Sequence, residues 1–193
     1  SNHAIHHESQ WMHRKFIDFT LLNISVVIGG SKDLYELKSG LGTAITMNQN
    51  QIELRTLSIK DYDAILNLWK QADLPFKPKG RESKEAMKVH IEHEPDLFIG
   101  AFHKDKLVGV VIGSHDYRKG WINRLAVHPQ YRRHGIGQLL ISSVEKALQR
   151  KGIKIFATLI EKDNVASLNL FKKAGYKVEN SILYLTKREN LDV

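Results

Sequence analysis

Cysteine is absent from this chain of 193 residues, which removes disulfides, thiolate metal sites and a cysteine nucleophile at once. A chain without thiol chemistry suits a reducing compartment, so a cytoplasmic location is expected. No stretch approaches the roughly 20 consecutive apolar residues that a membrane helix needs. The nearest is FIDFTLLNISVVIGG at 16–30, which carries Asp18 and lacks a clean small-residue cleavage site. It reads as one or two buried strands or a short helix rather than a signal peptide. Acidic residues are the minority charge, 21 against 29 lysines and arginines, for a formal net charge of +8. Such a surface attracts anions, whether nucleic acid, an anionic cofactor or acidic lipid, and charge alone does not choose among them. Internal repeats and long linkers are missing too.

What is present has the size of one domain with an appendage. The first 46 residues begin Ser-Asn and carry His3, His6, His7 and His13. They read as an N-terminal extension, part of it an expression scar, with histidines too irregular for a metal site. Residues 47–193 read as a self-sufficient domain. A strand is expected at 52–57. Ser58 then caps a helix carrying Ile65, Leu68, Trp69 and Ala72 on one face. A second helix covers about 82–93. Apolar runs at 97–103 and 106–113, parted by Lys104 and Asp105, form a hairpin. Next come a strand at 121–127 and a helix at 136–149 with Ile136, Leu139, Leu140, Ser143, Val144 and Ala147 inward. A strand at 153–160, a helix at 166–174 stopped by Gly175, and a strand at 182–188 complete the chain. The strand–helix–strand from 121 to 160 implies one parallel crossover. The expected class is α/β (α+β): a mixed, mostly antiparallel central sheet with helices on both faces. No metal site is expected, because His90, Glu92 and His93 lack further ligands.

The chemistry concentrates in HPQYRRHGIGQLL at 128–140. Two glycines at the mouth of a helix let the backbone approach a ligand and take unusual dihedrals. The first helical N–H groups have no intrahelical partner, and the helix dipole adds partial positive charge. Arg132, Arg133 and His134 raise the potential further, so a phosphate or pyrophosphate fits. A dinucleotide loop would carry a third glycine where Leu140 stands, and a Walker loop would continue Gly-Lys-Ser/Thr. What remains, Arg132-x-x-Gly135-x-Gly137 after Val127-His128-Pro129, resembles the acyl-CoA loop of the GNAT superfamily of N-acetyltransferases. Downstream, Asn164-x-x-Ser167-x-x-Leu170-Phe171-x-x-x-Gly175-Tyr176 is similar to that family's next element. The order of strands and helices fits over 52–188.

The resemblance implies an acetyl-CoA-dependent N-acetyltransferase in which an amine, here unidentified, attacks the thioester directly. It implies that strands 4 and 5 splay and that pantetheine lies between them, on the backbone of Leu125, Ala126 and Val127. The Val127 N–H is then the candidate oxyanion donor. Arg132 and the N–H groups of Arg133, His134, Gly135, Ile136, Gly137 and Gln138 would hold the pyrophosphate. Asn164 would reach the cofactor or cap the following helix, or both. Lys172 and Lys173 read as a solvated face.

Two positions depart from the family pattern. Phe171, at the cofactor, replaces the tyrosine that protonates the leaving thiolate. Leu159 replaces the glutamate base of protein N-terminal acetyltransferases. Acid and base are therefore unassigned, with Glu161, Tyr176, Tyr184 and His115 as candidates, the last beside Asp116 in a surface turn. Acceptor walls are expected at Trp69, Phe76, His115 and Tyr117. Members of the family are often dimers, so a homodimer is a further expectation. Two other readings compete. An acyl-CoA-binding module without turnover is compatible with the missing tyrosine. A nucleic-acid-binding protein fits the charge but lacks a recognition helix or an aromatic-rich basic strand.

Overall fold

A computed structural model of the chain describes residues 51–189. The N-terminal extension, its histidines, the 16–30 segment and the Met47 boundary lie outside the described residues. The strands β1 (Ile52–Thr56), β2 (Phe98–His103), β3 (Lys106–His115), β4 (Gly120–Val127) and β5 (Phe156–Ala157) form one sheet in chain order. The first four pair antiparallel, and β5 runs parallel to β4. The helices are α1 (Tyr62–Gln71), α2 (Lys84–His93), α3 (Ile136–Arg150) and α4 (Val165–Lys173).

Local chemistry sets several boundaries. Ser58 and Asp61 form a reciprocal capping box, the Ser58 N–H donating to Asp61 Oδ2 at 2.8 Å, and the chain enters α1 through a 3-10 turn. Lys104 and Asp105 both adopt left-handed backbone, φ 47° and 64°, as a two-residue hairpin turn requires. After α4, Gly175 takes φ +95°.

The two faces of β3 bury different helices. Val110 and Ile112 join Ile65, Leu68 and Trp69 of α1 and Met87 and Ile91 of α2 in one cluster. On the other face, a Cβ at Gly113 would stand 2.7 Å from Val144 Cγ2, so α3 rests directly on bare backbone. Each large side chain enclosed this way, Leu140 among them, contributes about 1.5–3 kcal/mol over leaving it exposed.

Three expectations need correction. The buried face of α3 is Ile136, Leu140, Ile141, Val144, Ala147 and Leu148. Leu139 is exposed and Ser143 half-buried, because the row spaced by four, not its neighbour, lies over the sheet. β5 is two residues long instead of spanning 153–160, since the backbone leaves β4 after Ala157. Residues 182–188 form no strand, and Ile182, Leu183, Tyr184 and Leu185 are exposed. Alternation suits that segment to a sheet, but it pairs with none of the described strands and remains irregular.

Candidate active site

β4 is paired along one side and mostly open along the other. Towards β5, Gly120 and Trp121 pair with Phe156 and Ala157, and the Thr158 hydroxyl donates to the Ile122 carbonyl at 2.9 Å. Beyond that point no strand among the described residues adjoins it. Towards β3, Ile112 faces Arg124 but Gly113 faces Ile122, leaving Asn123 as an extra, bulged residue where the gap opens. Past the bulge, the His128 N–H donates to the Val108 carbonyl at 2.8 Å. Antiparallel alternation then commits the backbone of Arg124 and Ala126 to β3 and turns that of Leu125 and Val127 into the gap. Ala126 is thus withdrawn from the expected contact surface: its backbone serves β3 and its methyl lies in the α1–α2 cluster.

The gap leads to the start of α3. Arg133 and Gly135 take φ +69° and +79°, turning the loop into the helix. Left-handed backbone costs a non-glycine residue about 1 kcal/mol or more and is concentrated at functional loops. Gly135 supplies no side-chain cap, and the first helical bond runs from the Leu139 N–H to the Gly135 carbonyl at 3.0 Å. The N–H groups of Ile136, Gly137 and Gln138 therefore have no helical partner, which suits a pyrophosphate. Arg132 is otherwise engaged. Its Nε donates to the Val127 carbonyl and its Nη2 to the Ala72 carbonyl, both at 3.2 Å, fixing the loop against β4 and α1. Gly137 also serves packing: a Cβ there would stand 2.8 Å from Leu170 Cδ2 of α4.

On the α1–α2 face the gap adjoins a cavity of about 430 Å³, whose lining includes Trp69, Glu82, His90, Asn123, Arg124 and Leu159. Glu82 is buried yet accepts from the Lys77 N–H at 2.7 Å and Arg81 Nε at 2.8 Å, and it pairs directly with Arg124 Nη2. Arg124 also donates to the Pro75 carbonyl at 2.7 Å and lies 5.5 Å over the Trp69 ring. Burial would raise the Glu82 carboxyl, but the Lys77 N–H and the two arginines outweigh it and hold it below the usual carboxylate range. His90 stands edge-on to Phe98, ring centroids 4.7 Å apart, and burial pushes its imidazole below the ordinary value. Sequence reading missed Glu82, Arg124 and the placement of His90. Nothing in RESKEAM marks Glu82, and its partner Arg124 is 42 residues away.

A sequence model described as the acetyltransferase (GNAT) family matches residues 62–176. The chain belongs to the GNAT family. An acetyltransferase of Sodalis glossinidius (strain morsitans) is 32% identical over 137 residues, 71% of this chain and 95% of that one. One from Pectobacterium atrosepticum is 31% identical over 131 residues, 68% and 92% of the two chains. The PaiA N-acetyltransferase of Thermoplasma acidophilum, solved with coenzyme A, superposes with a TM-score of 0.60 at 26% identity, covering 68% of this chain and 92% of that one. This GNAT protein is accordingly an N-acetyltransferase with acetyl-CoA as its acetyl donor. None of its described helices is long and apolar enough to cross a membrane.

The remaining residues of the acetyltransferase that sequence singled out are dispersed. Asn164 caps α4, its Oδ1 accepting the Ser167 N–H at 3.1 Å. Phe171 is buried edge-on against Tyr176, centroids 5.0 Å apart, and belongs to the core. Lys172 and Lys173 are exposed. Tyr176 donates its hydroxyl to Glu145 at 2.7 Å, and burial together with Glu145 drives that hydroxyl far above its ordinary range. It is committed to α3 and is no proton donor for the gap.

His115 accepts the Tyr117 N–H on Nδ1 at 3.2 Å, so its Nε2 carries the proton and donates to Glu94 at 3.0 Å. It pairs with Gly120, at the opposite end of the β3–β4 ladder from Val127, and so does not face the gap. Asp116 accepts the N–H groups of Arg118 and Lys119 in a surface turn. Glu161, Tyr117 and Tyr184 are exposed. Trp69 is fully buried and also lines the cavity, while Phe76 packs behind it at 5.8 Å. His93 Nδ1 bonds the Val89 carbonyl of its own helix at 2.7 Å and does not converge with His90.

Proposed function

We propose that acetyl-CoA enters the β4–β5 gap from the α3 side, that the amine enters from the α1–α2 cavity, and that transfer occurs beside Leu125. The observation that carries this reading is β4 itself, unpaired on one side beyond Ile122 and bordered there by the cavity. Pyrophosphate sits on the N–H groups of Ile136, Gly137 and Gln138, beside Arg133 and His134. The arm then passes Val127 and brings the thioester to Leu125. Asn123 and Arg124 line the cavity next to Leu125, whereas Val127 lies about 7 Å further towards the loop. The Leu125 N–H is therefore the oxyanion donor in this reading, in place of Val127.

The amine nitrogen attacks the thioester carbonyl, a C–N bond forms, and the C–S bond breaks with its electron pair on sulfur. A thiolate of ordinary pKa leaves well without a protein acid, which accounts for Phe171 in the core. A catalytic domain at 47–193, a cytoplasmic location supported by the lack of cysteine, and a homodimer belong to the same proposal. Sedimentation at micromolar concentration tests the last. The decisive experiment is calorimetric titration with acetyl-CoA and CoA, followed by a thiol-release assay over aminoglycosides, amino acids and peptide α-amines. Micromolar binding of both nucleotides and turnover with one amine class are expected. Absence of binding overturns the site.

A further inference from the structure

We infer that His90 is the catalytic base: its imidazole takes the proton that the acceptor amine sheds as it attacks the thioester. This rests on the site proposed above. A neutral amine gains positive charge on nitrogen as the C–N bond forms and must shed one proton, which a positioned base takes up. The titratable groups lining the cavity are Arg81, Glu82, His90 and Arg124. Arginines do not accept protons. Glu82 already accepts from Lys77, Arg81 and Arg124. The His90 ring has no hydrogen bond among the described residues and is positioned by packing against Phe98. Its helix is fixed at the start by Ser83, which accepts the Ala86 N–H at 3.3 Å, and on either side of His90 by buried Met87 and Ile91. The same cavity is lined by Asn123 and Arg124, next to Leu125 in sequence, and by Leu159, where a carboxylate base is missing.

The surroundings favour the neutral ring. Burial is the main influence and His93 adds to it, while Glu94, just past the end of α2, opposes them. Arg81 and Arg124 line the same cavity, and their positive charge is balanced only in part by Glu82. In the step, the amine proton moves to an imidazole nitrogen as the C–N bond closes. CoA departs as thiolate, and the imidazolium returns its proton to water.

The test uses the full chain and two readouts. With the amine found by thiol release, His90→Gln lowers kcat about 100-fold or more, leaves acetyl-CoA affinity unchanged by calorimetry, and abolishes the acid limb of the kcat–pH profile. In the parent that limb is expected on the acid side of an ordinary imidazole, the direction in which burial moves His90. A variant with parental kcat and the same acid limb overturns the inference. Independently of any acceptor, NMR titration of the histidine rings in the CoA complex shows a neutral His90 at pH 7. A protonated ring there also overturns it. Loss of CoA binding by the parent would count against the site, whereas failure of the His90 readouts with CoA binding intact counts against the base alone.

Discussion

The two long edges of β4 differ sharply. Along β3, every residue from Gly120 to Val127 except Asn123 has a partner; along β5, only Gly120 and Trp121 do. The paired edge holds the strand in register, and the open edge leaves main-chain donors at Leu125 and Val127 for a ligand. One strand can thus carry stability on one side and chemistry on the other, because hydrogen-bonding directions alternate along it. The single bulge at Asn123 marks the changeover.

Substitutions can separate the two edges. Leu125→Pro removes an N–H on the open edge and none from the β3 ladder. It is expected to lower kcat 10²- to 10³-fold, about 3–4 kcal/mol in the barrier, with acetyl-CoA still bound in calorimetry. Leu140→Ala attacks the packed side instead. It empties a fully buried site under β3 and should cost about 3 kcal/mol in urea unfolding, while CoA affinity of the folded protein stays unchanged.

Glu82→Gln probes the border between the two and should cost about 2 kcal/mol at pH 7. The folded carboxyl is held below its ordinary value of 4.5, so its contribution is complete above that value and is lost as pH falls through the depressed one. The gap between parent and variant should therefore close in acid unfolding curves. Leu159→Ala, at an exposed position on the open side, should change stability by less than about 0.5 kcal/mol, and any effect should be seen in KM for the amine.

The same division explains what sequence disclosed. Features set within a few residues were legible: the Ser58 cap, the Lys104–Asp105 turn, the Asn164 cap and the Gly175 stop all rest on local hydrogen bonds or backbone angles. The α3 loop was legible because orphan N–H groups follow from any helix start. Features set by distant partners were not. IKIFATLI and ILYLTKR look alike as strands, but pairing depends on an available edge, and only Phe156 and Ala157 found one. His115 looked like a candidate for the acceptor site until Glu94, 21 residues earlier, claimed its ring. The Glu82–Arg124 pair joins a loop to a strand and leaves no spacing to read.

The open edge of β4 also bears on the order of events. α3 begins on one face of the sheet and the Glu82–Arg124 cavity lies on the other, so the proposed site gives the acetyl donor and the amine separate doors. Neither blocks the other's path, and no cysteine is available to store the acyl group between visits. The kinetic scheme expected of the proposed site is a ternary complex with intersecting initial-rate lines, in which CoA departs by the route it came while the acetylated amine leaves through the opposite face.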